Sequence, residues 1–226
     1  MKIFDPAVYI EKYDGMKIMK NIEKAARTCY KSEANISEDS YKRIITNCIK
    51  SGHESVIEHE KISVKVFGDL SLMQDIPGHR LASFSNESTR YCNYGKDKYE
   101  NQLRIIKQPH FEKGTKLYEE WEKCMKTIEE SYVKMSNMGG KPDQLRMILS
   151  LSTIGEMNMT CNIREWRYIL RRHCSASYGH PSARQVFIPL LLKFKEDMPE
   201  LFSDIEYDEE FPKEKYAKII PLDQYQ

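Results

Sequence analysis

The chain has little that would cross-link it or hold it in a membrane. Its six cysteines are scattered and include no CxxC pair, which argues against a zinc knuckle or a thioredoxin-type redox site. We therefore expect reduced thiols. The longest apolar run, residues 186–192, contains a proline and is far shorter than the roughly 20 residues of a membrane-spanning helix. The first residues are charged and have no apolar core, so we predict no secretory signal and expect a cytoplasmic protein.

The sequence also has no charge excess and no repeats. Its 35 Lys+Arg balance 34 Asp+Glu, for a net charge of +1, so we predict neither nucleic acid nor a membrane surface as a partner. With 226 residues, of which 40% are hydrophobic, the chain is long enough to bury a core without metal or disulfides. We predict one domain over residues 1–226.

The spacing of apolar residues predicts a mostly helical second half. Helical periods are present over residues 16–29, 37–51, 111–138, 144–160, 162–174 and 181–198. Ser37 is expected to cap the second of these helices and Gly52 to end it. Residues 61–67 alternate between apolar and polar and predict a strand. With strands concentrated before residue 110, we expect an α+β fold with a small sheet in the first half.

Residues 79–94, HRLASFSNESTRYCNY, fit neither a helix nor a strand pattern. Such a polar stretch is typical of a solvated loop. It also keeps four apolar or aromatic residues, which indicate partial burial: Leu81, Phe84, Tyr91 and Tyr94. Polar groups that are packed beside aromatic rings need partners, and two arginines beside a serine and a threonine are suited to hold a phosphate.

This segment resembles the signature of the flavin-dependent thymidylate synthases, the ThyX family: R-H-R, seven residues, then serine. Here it is Gly78-His79-Arg80, residues 81–87 and Ser88, with Arg90 two positions on. Three more segments resemble the family in the same order: AARTCYKSE at 25–33, HESVIEH at 53–59 and CNIREWRYIL at 161–170. Together with an arginine at 146, the resemblance spans about residues 17–203.

The resemblance implies a fold, a reaction and an assembly. Members of the family have an α+β fold and methylate dUMP at C5. Methylenetetrahydrofolate supplies the carbon, and FAD reduced by NADPH supplies the hydride. No enzyme cysteine adds to the pyrimidine, and this chain has no Pro-Cys-His arrangement. The family is homotetrameric with FAD at subunit interfaces, so we expect a homotetramer.

By position, the resemblance also assigns roles to residues. Against FAD it places Ser55, His79, Arg80, Asn86 or Glu87, Asn162, Arg164 and Tyr168. Against the nucleotide it places Asp75, Ser88, Thr89, Arg90 and Arg146. Near the catalytic arginine of the family, which stabilises the ionised pyrimidine, this chain has His173 and beside it Arg172.

Several of these residues have a purely structural alternative. Asn162 precedes Glu165 by three residues and resembles a helix cap. Arg164, Arg167 and Arg171 share one helix face. The structural alternative is that this face is exposed to solvent and binds no ligand. The pair of His53 and His59 has no third ligand nearby, so we predict no metal.

Two positions depart from the family. Gly78 replaces the first arginine of the motif, which removes a charge-assisted hydrogen bond of about 1.5–3 kcal/mol, or roughly tenfold to a hundredfold in affinity. His173 replaces a permanent cation, and a histidine with a pKa near 6.5 stabilises an anion only when it is protonated. On that basis activity should fall as pH rises, unless a slight shift lets Arg172 act instead. Two other functions therefore stay open: modification of another pyrimidine nucleotide, or non-catalytic nucleotide binding.

Overall fold

The structure is a computed structural model that describes residues 1–96 and 99–225. Its helices are α1 (Gly15–Thr28), α2 (Ser40–Lys50), α3 (Leu70–Asp75), α4 (Lys116–Asn137), α5 (Pro142–Leu145), α6 (Ile163–His173), α7 (Pro181–Asp197) and α8 (Pro199–Phe202). Its strands are β1 (Lys2–Phe4), β2 (Ala7–Ile10), β3 (Lys61–Asp69), β4 (Ala82–Asn86), β5 (Arg104–Ile106), β6 (Ile154–Asn162) and β7 (Lys218–Pro221). Short 3-10 turns include Glu54–His59, Ile76–Gly78 and Arg146–Ile148.

A five-stranded sheet organises the described residues, with the strand order β4-β6-β3-β2-β7. Strand β6 runs antiparallel to both of its neighbours, β3 and β4, whereas β7 pairs parallel to β2 at the other edge. Strands β1 and β5 form a separate parallel pair. Helices and a mixed sheet in one chain confirm the predicted α+β fold.

The main core lies between the sheet and the helices. The alternation in β3 buries Val64 and Val66, and the alternation in β6 buries Met157 and Met159 beside them. Helices α6 and α7 cover this face with a set of fully buried rings, namely Trp166, Phe187 and Phe194. The Trp166 indole N–H donates to the Ile62 carbonyl at 3.0 Å. Helix α6 is thereby attached to β3 by a buried hydrogen bond as well as by apolar contact.

Helix α4 forms a second apolar cluster with the chain around β5. Trp121 and Tyr132 of α4 pack there against Leu103 and Ile105. The predicted helix from residue 111 begins later, because the Thr115 hydroxyl accepts from the Tyr118 N–H at 3.2 Å and caps the first turn. The helix ends near the predicted glycines, where Gly139 has a φ of +91°, a left-handed conformation that favours glycine.

The helix predicted over residues 144–160 is wrong. The chain there forms the short α5, a 3-10 turn and then β6, the strand at Ile154–Asn162. In β6 the residues alternate, with Met157 and Met159 buried and Asn158 between them exposed. Methionine favours helices by itself, so this two-residue period was obscured. Because β6 and β7 lie late in the chain, the sheet is not confined to the first half as expected.

Two smaller expectations are also corrected. Helix α2 starts at Ser40 with Asp39 at its N-cap, not at Ser37. Ser37 instead donates its backbone N–H to the Ser40 hydroxyl at 2.8 Å, which holds a turn before the helix. Leu81 and Tyr91 are exposed rather than partly buried.

Asp69 joins three separate parts of the fold. It is 2% exposed and is the N-cap of α3, where one carboxylate oxygen accepts from the Leu72 N–H at 2.9 Å. Its other oxygen accepts from Gln108 at 3.0 Å and from the Ser182 hydroxyl at 2.8 Å. Since Ser182 lies in the first turn of α7, this carboxylate fixes α3 relative to α7.

We expect Asp69→Ala to reduce the free energy of unfolding by about 3 kcal/mol, because buried donors lose their acceptor in addition to the cap. The matched control is Asp14→Ala, which removes the exposed N-cap of α1 and its single bond to Lys17 and should cost about 1 kcal/mol. Urea denaturation measures both. Equal losses in the two variants would contradict the joining role of Asp69.

Candidate functional site

A polar cavity of about 670 Å³ lies where the end of α3 and the chain after it meet one side of α6. From the first segment come Asp75, Gly78, His79, Arg80 and Leu81. From α6 come Glu165, Tyr168, Arg172 and His173, and from the loop before α7 come Tyr178 and His180. Glu165, Tyr168 and Arg172 are spaced by three and four positions and share one side of the helix, and His173 lies at the buried edge of that side.

A pair of buried histidines forms the floor of this cavity. His79 and His173 are 9% and 8% exposed, and their Nε2 atoms lie 2.8 Å apart. The Nδ1 atom of His79 lies 3.3 Å from a carboxylate oxygen of Glu165, which is also buried. Tyr168 packs edge-on against the His79 ring at 5.5 Å between centroids. Glu165, His79 and His173 therefore form a continuous buried polar chain.

Burial keeps both imidazoles neutral. Burial, together with the neighbouring His79 and Arg172, lowers the pKa of His173 to about 4. Burial also lowers the pKa of His79, although Glu165 opposes this shift. The two arginines of the cavity, Arg80 and Arg172, are exposed. The lowered pKa of His173 disfavours a protonated imidazole at neutral pH, which was one of the two alternatives that the sequence left open beside Arg172.

The departure at Gly78 is not caused by crowding. A Cβ atom built on Gly78 meets nothing within 4 Å. The residue ends a 3-10 turn that delivers His79 to the cavity, and it is itself exposed. A larger side chain would fit, so the missing arginine leaves open space at the cavity wall.

Asn162 acts as the helix cap that the sequence suggested. Its side-chain oxygen accepts from the Glu165 backbone N–H at 2.8 Å, and it is also the last residue of β6. The Glu165 side chain lies against His79 instead of returning to the cap. The capping box is therefore incomplete, because its glutamate belongs to the histidine pair.

Ser55 and Arg164 line a different cavity, of about 360 Å³, between α1, α2 and the 3-10 turn that follows α2. Arg164 there contacts Glu58 at 2.6 Å and Glu54 at 3.5 Å. The predicted flavin residues thus do not share one cavity. His79, Arg80 and Tyr168 share the histidine cavity, whereas Ser55 and Arg164 do not line it.

The arginine face of α6 is only partly solvated. Arg167 is 1% exposed and binds Asp204 with two hydrogen bonds of 2.8 and 2.7 Å. Arg171 is exposed and reaches the same carboxylate at 2.9 Å. These contacts lower the pKa of Asp204 despite its partial burial. Arg167 is therefore a structural residue, since its charge is already paired.

The predicted nucleotide residues are separated from the histidine cavity by strand β4. Ala82 pairs with Cys161 at one end of β4, and Asn86 pairs with Met157 at the other, roughly 13 Å away at the rise of an extended strand. Ser88, Thr89 and Arg90 follow this far end, and none of them lines the histidine cavity. Arg146 is exposed in the 3-10 turn after α5. Of the predicted nucleotide residues, only Asp75 lines the cavity.

The far end of β4 has its own polar cluster, around a cavity of about 460 Å³. Glu87 lies 3.4 Å from Arg104, which also lies 3.6 Å from Glu156. Burial raises the pKa of Glu87 against the opposing effect of Arg104. The Asn86 side chain donates to the Met73 carbonyl at 3.5 Å. Both halves of the motif therefore lie near cavities, at opposite ends of one strand.

Sequence reasoning missed three residues of the histidine cavity: Glu165, Tyr178 and His180. The sequence interpretation relates Glu165 only to the helix cap at Asn162. Its spacing of three and seven residues to Tyr168 and Arg172 would have placed it on the same face. His180 stands directly before Pro181, at the N-cap of α7, a helix-start signal that the sequence does contain.

The family model described as "Thymidylate synthase complementing protein" (Thy1) matches residues 14–200. The chain therefore belongs to this family, the flavin-dependent thymidylate synthases of the ThyX type, as the motifs predicted. Within the residues that the structure describes, no helix is both long and apolar enough to span a membrane.

Individual relatives are distant. The flavin-dependent thymidylate synthase of Pyrococcus abyssi is 27% identical over 134 residues, which cover 59% of this chain and 54% of that protein. The enzyme of the same name from Mycolicibacterium vanbaalenii is 24% identical over 203 residues, 82% of this chain and 78% of that protein. The chain thus spans about half the length of the first of these relatives and more of the second.

Solved structures show the same fold. The UMP/dUMP methylase PolB from Streptomyces cacaoi, bound with 5-Br dUMP, matches with a TM-score of 0.73 at 18% identity. The match covers 90% of this chain and 96% of the PolB chain. The same protein bound with 5-Br UMP gives a TM-score of 0.69. At this identity the likeness describes the fold alone.

The lowered pKa of His173 makes a pH-dependent contribution to stability. Unfolding returns its pKa from about 4 to about 6.5, so the unfolded chain takes up the proton first and stability falls as pH drops from about 6.5 to 4. Between pH 7 and pH 4, the free energy of unfolding of wild type should fall by about 3 kcal/mol more than that of His173→Gln, whose side chain cannot be protonated. Urea unfolding at both pH values measures this difference.

The control is His53→Gln, since His53 is exposed and outside the histidine cavity. Between pH 7 and pH 4, the free energy of unfolding of His53→Gln should fall as much as that of wild type. If His173→Gln also loses as much as wild type, His173 is not held neutral in the fold.

Proposed function

We propose that the protein is a flavin-dependent thymidylate synthase, which methylates dUMP at C5 with methylenetetrahydrofolate as carbon donor and NADPH as reductant. One observation carries the proposal beyond family membership. The His79-Arg80 motif and the α6 helix of the N-x-R-E-W-R motif, which are far apart in sequence, line a single cavity. Because two independent family motifs converge there, that cavity is the best candidate for the reaction centre.

The side chains of the cavity fit a flavin. Tyr168 offers a ring that is 54% exposed beside His79, which suits a planar aromatic system. Arg80 and Arg172 offer charges for a diphosphate, and the open space at Gly78 leaves room beside them. We assign FAD to His79, Arg80 and Tyr168 of this cavity. Asn162, Ser55, Arg164 and Asn86 or Glu87 do not line it, so their predicted contacts with FAD would come from a neighbouring copy. Bound FAD would supply the hydride.

The burial of several thiols supports a reaction without a cysteine nucleophile. Burial strongly raises the pKa of Cys161 and of Cys174, so neither thiol forms the nucleophilic thiolate readily. Burial also raises the pKa of Cys48. All six cysteines are unpaired, which fits the cytoplasmic location that we propose.

Arg172 is the residue that we assign to the pyrimidine anion. It is exposed, lines the cavity and lies one position before His173 on α6. Arginine remains charged at every relevant pH, whereas the neighbouring His173 is neutral. We therefore expect turnover to lack the decline between about pH 6 and 8 that a protonated histidine would produce.

We further propose that the nucleotide site is completed between copies in a homotetramer. Asp75 lies in the histidine cavity, but Ser88, Thr89 and Arg90 lie beyond the other end of β4. One chain therefore separates the proposed phosphate ligands from the proposed flavin site. A neighbouring copy that presents its own Ser88 to Arg90 segment, together with Arg146, would unite them.

UMP is the second candidate substrate. The structural neighbour PolB is a UMP/dUMP methylase, and this chain departs from the ThyX motif at Gly78, where the missing arginine leaves open space. A ribonucleotide differs from dUMP only by its 2′-hydroxyl, which needs both space and a polar partner. The cavity offers polar side chains and room for that group.

The decisive assay incubates the purified protein with methylenetetrahydrofolate, NADPH and either dUMP or UMP, and measures the products by mass. We expect a yellow protein with about one flavin per chain and a methylated dUMP product. A methylated product from UMP alone would favour the second candidate. A colourless protein that FAD cannot reconstitute would instead indicate a non-catalytic nucleotide-binding protein.

Replacement of Arg90 tests the phosphate role. Arg90→Ala should weaken dUMP binding by about tenfold or more, because a charge-assisted hydrogen bond contributes about 1.5–3 kcal/mol. Deoxyuridine, which has no phosphate, should bind equally to variant and wild type in calorimetry. Arg43→Ala is the matched control, since Arg43 is equally exposed but lies on α2. Equal losses for nucleotide and nucleoside would remove Arg90 from the phosphate site.

A further inference from the structure

Two cysteines lie at the ends of the buried faces of two neighbouring helices. On α1, Ala26 is buried and Cys29 follows three residues later as the C-cap. On α2, Ile45 is buried and Cys48 follows three residues later. Residues that are three positions apart share one side of a helix. Because Ala26 and Ile45 belong to the same core, each cysteine lies at the edge of the contact between α1 and α2.

The two helices are held in a register that brings these cysteines together. The Ser40 hydroxyl in the first turn of α2 donates to the buried Glu23 carboxylate of α1 at 2.6 Å. From that contact, Cys29 lies roughly 9 Å along α1 and Cys48 roughly 12 Å along α2, at the rise of an α-helix. Both cysteines line one cavity of about 360 Å³. The helices therefore run in the same direction from Ser40 and Glu23 toward the two thiols.

The two thiols differ in their access to solvent. Cys29 is exposed, whereas Cys48 is half-buried. Burial raises the pKa of Cys48, and the neighbouring Cys29 acts in the same direction, an effect that like charges have only at short range. Over residues 1–96 and 99–225, no group of three or more His, Cys, Asp and Glu side chains could hold a metal ion. The pair is therefore a dithiol and not half of a metal site in that part of the chain.

We propose that Cys29 and Cys48 are a redox modification site, where a reversible disulfide closes this cavity against flavin. The closure rests on the proposed function, because Ser55 and Arg164 of the same cavity are predicted flavin residues. The Cys48 carbonyl accepts from the His53 N–H at 2.8 Å, which joins Cys48 to the turn that carries Ser55. A movement of Cys48 toward Cys29 is therefore transmitted to a predicted flavin contact.

The oxidant is a low-molecular-weight disulfide such as oxidised glutathione. The Cys29 thiolate attacks one of its sulfurs, so that a mixed disulfide forms and one glutathione leaves as a thiolate. The Cys48 thiolate then attacks the Cys29 sulfur and releases the second glutathione. The two protein thiols lose two electrons and two protons, and one molecule of oxidised glutathione becomes two thiols. Because reduced glutathione reverses both steps, the bond forms only when its surroundings become oxidising.

Mass spectrometry of the full chain tests the bond without flavin. The protein is incubated with oxidised glutathione, its remaining thiols are alkylated, and trypsin then releases Cys29 and Cys48 on separate peptides, TCYK and IITNCIK. We expect these peptides to be joined in wild type and to separate after treatment with dithiothreitol. Cys48→Ser should instead keep glutathione on Cys29, because the second attack is lost.

The matched control is Cys124→Ser, since Cys124 is also exposed but lies on α4. This variant should form the joined peptide to the same extent as wild type. Absence of the joined peptide from wild type, with or without glutathione on single cysteines, would overturn the inference.

Flavin binding tests the consequence of the bond. FAD is titrated into reduced and oxidised protein, and its binding is followed by flavin fluorescence. Oxidised wild type should bind FAD about tenfold more weakly than reduced wild type, a usual size for coupling between sites. Because such coupling is reciprocal, saturating FAD should lower the equilibrium constant of the disulfide by the same factor. Cys29→Ser should bind FAD equally before and after oxidation, whereas equal binding by both forms of wild type would contradict the closure.

The two arms separate this inference from the function on which it rests. If the peptides are joined while the reduced protein binds no FAD, the proposed function fails and the redox site stands without its flavin role. If the protein binds FAD and methylates dUMP while the peptides remain separate, the proposed function holds and the inference is wrong.

Discussion

The attachment of α6 to the sheet is the constraint on which the site depends. The helix begins where β6 ends, with Asn162 serving as both the last strand residue and the cap. Its inner face buries Trp166, Ile169 and Leu170 completely, each contributing about 1.5–3 kcal/mol from burial. The helix cannot rotate without exposing these side chains and breaking the bond from Trp166 to the Ile62 carbonyl. The orientation of the cavity-lining face is therefore determined by the core.

This packing also explains why the site uses arginine for charge and histidine for hydrogen bonding. Arg172 is exposed, so water stabilises its charge, whereas His173 on the next position lies in the core beside Phe187. A buried ring avoids the cost of an unpaired charge by remaining neutral. The reference histidine pKa used with the sequence alone assumes a solvated ring, whereas burial lowers the pKa of His173 in the fold.

The sequence predicted the elements whose apolar pattern was strong and local. Helices α1, α6 and α7 and strand β3 were correctly predicted. Strand β6 was missed, because its methionines favour helix and its pairing with β3 and β4 is not visible locally. His79, Arg80, Tyr168, Arg172 and His173, which the motifs singled out, line one cavity, while the roles assigned to them stay predictions. The role of Glu165 depends on a contact with a residue 86 positions earlier in the chain, which no local pattern reveals.

Strand β4 explains why one chain does not complete the proposed nucleotide site. It is an extended edge strand, paired only with β6 among the described strands, so the residues before and after it are held apart. No side-chain movement closes roughly 13 Å between its ends. Its exposed residues Ser83, Ser85 and Asn86 leave this edge polar, which limits unspecific strand pairing. The strand therefore serves the proposed assembly by presenting the two halves of one motif at separate places, where each half can complete the site of a different copy.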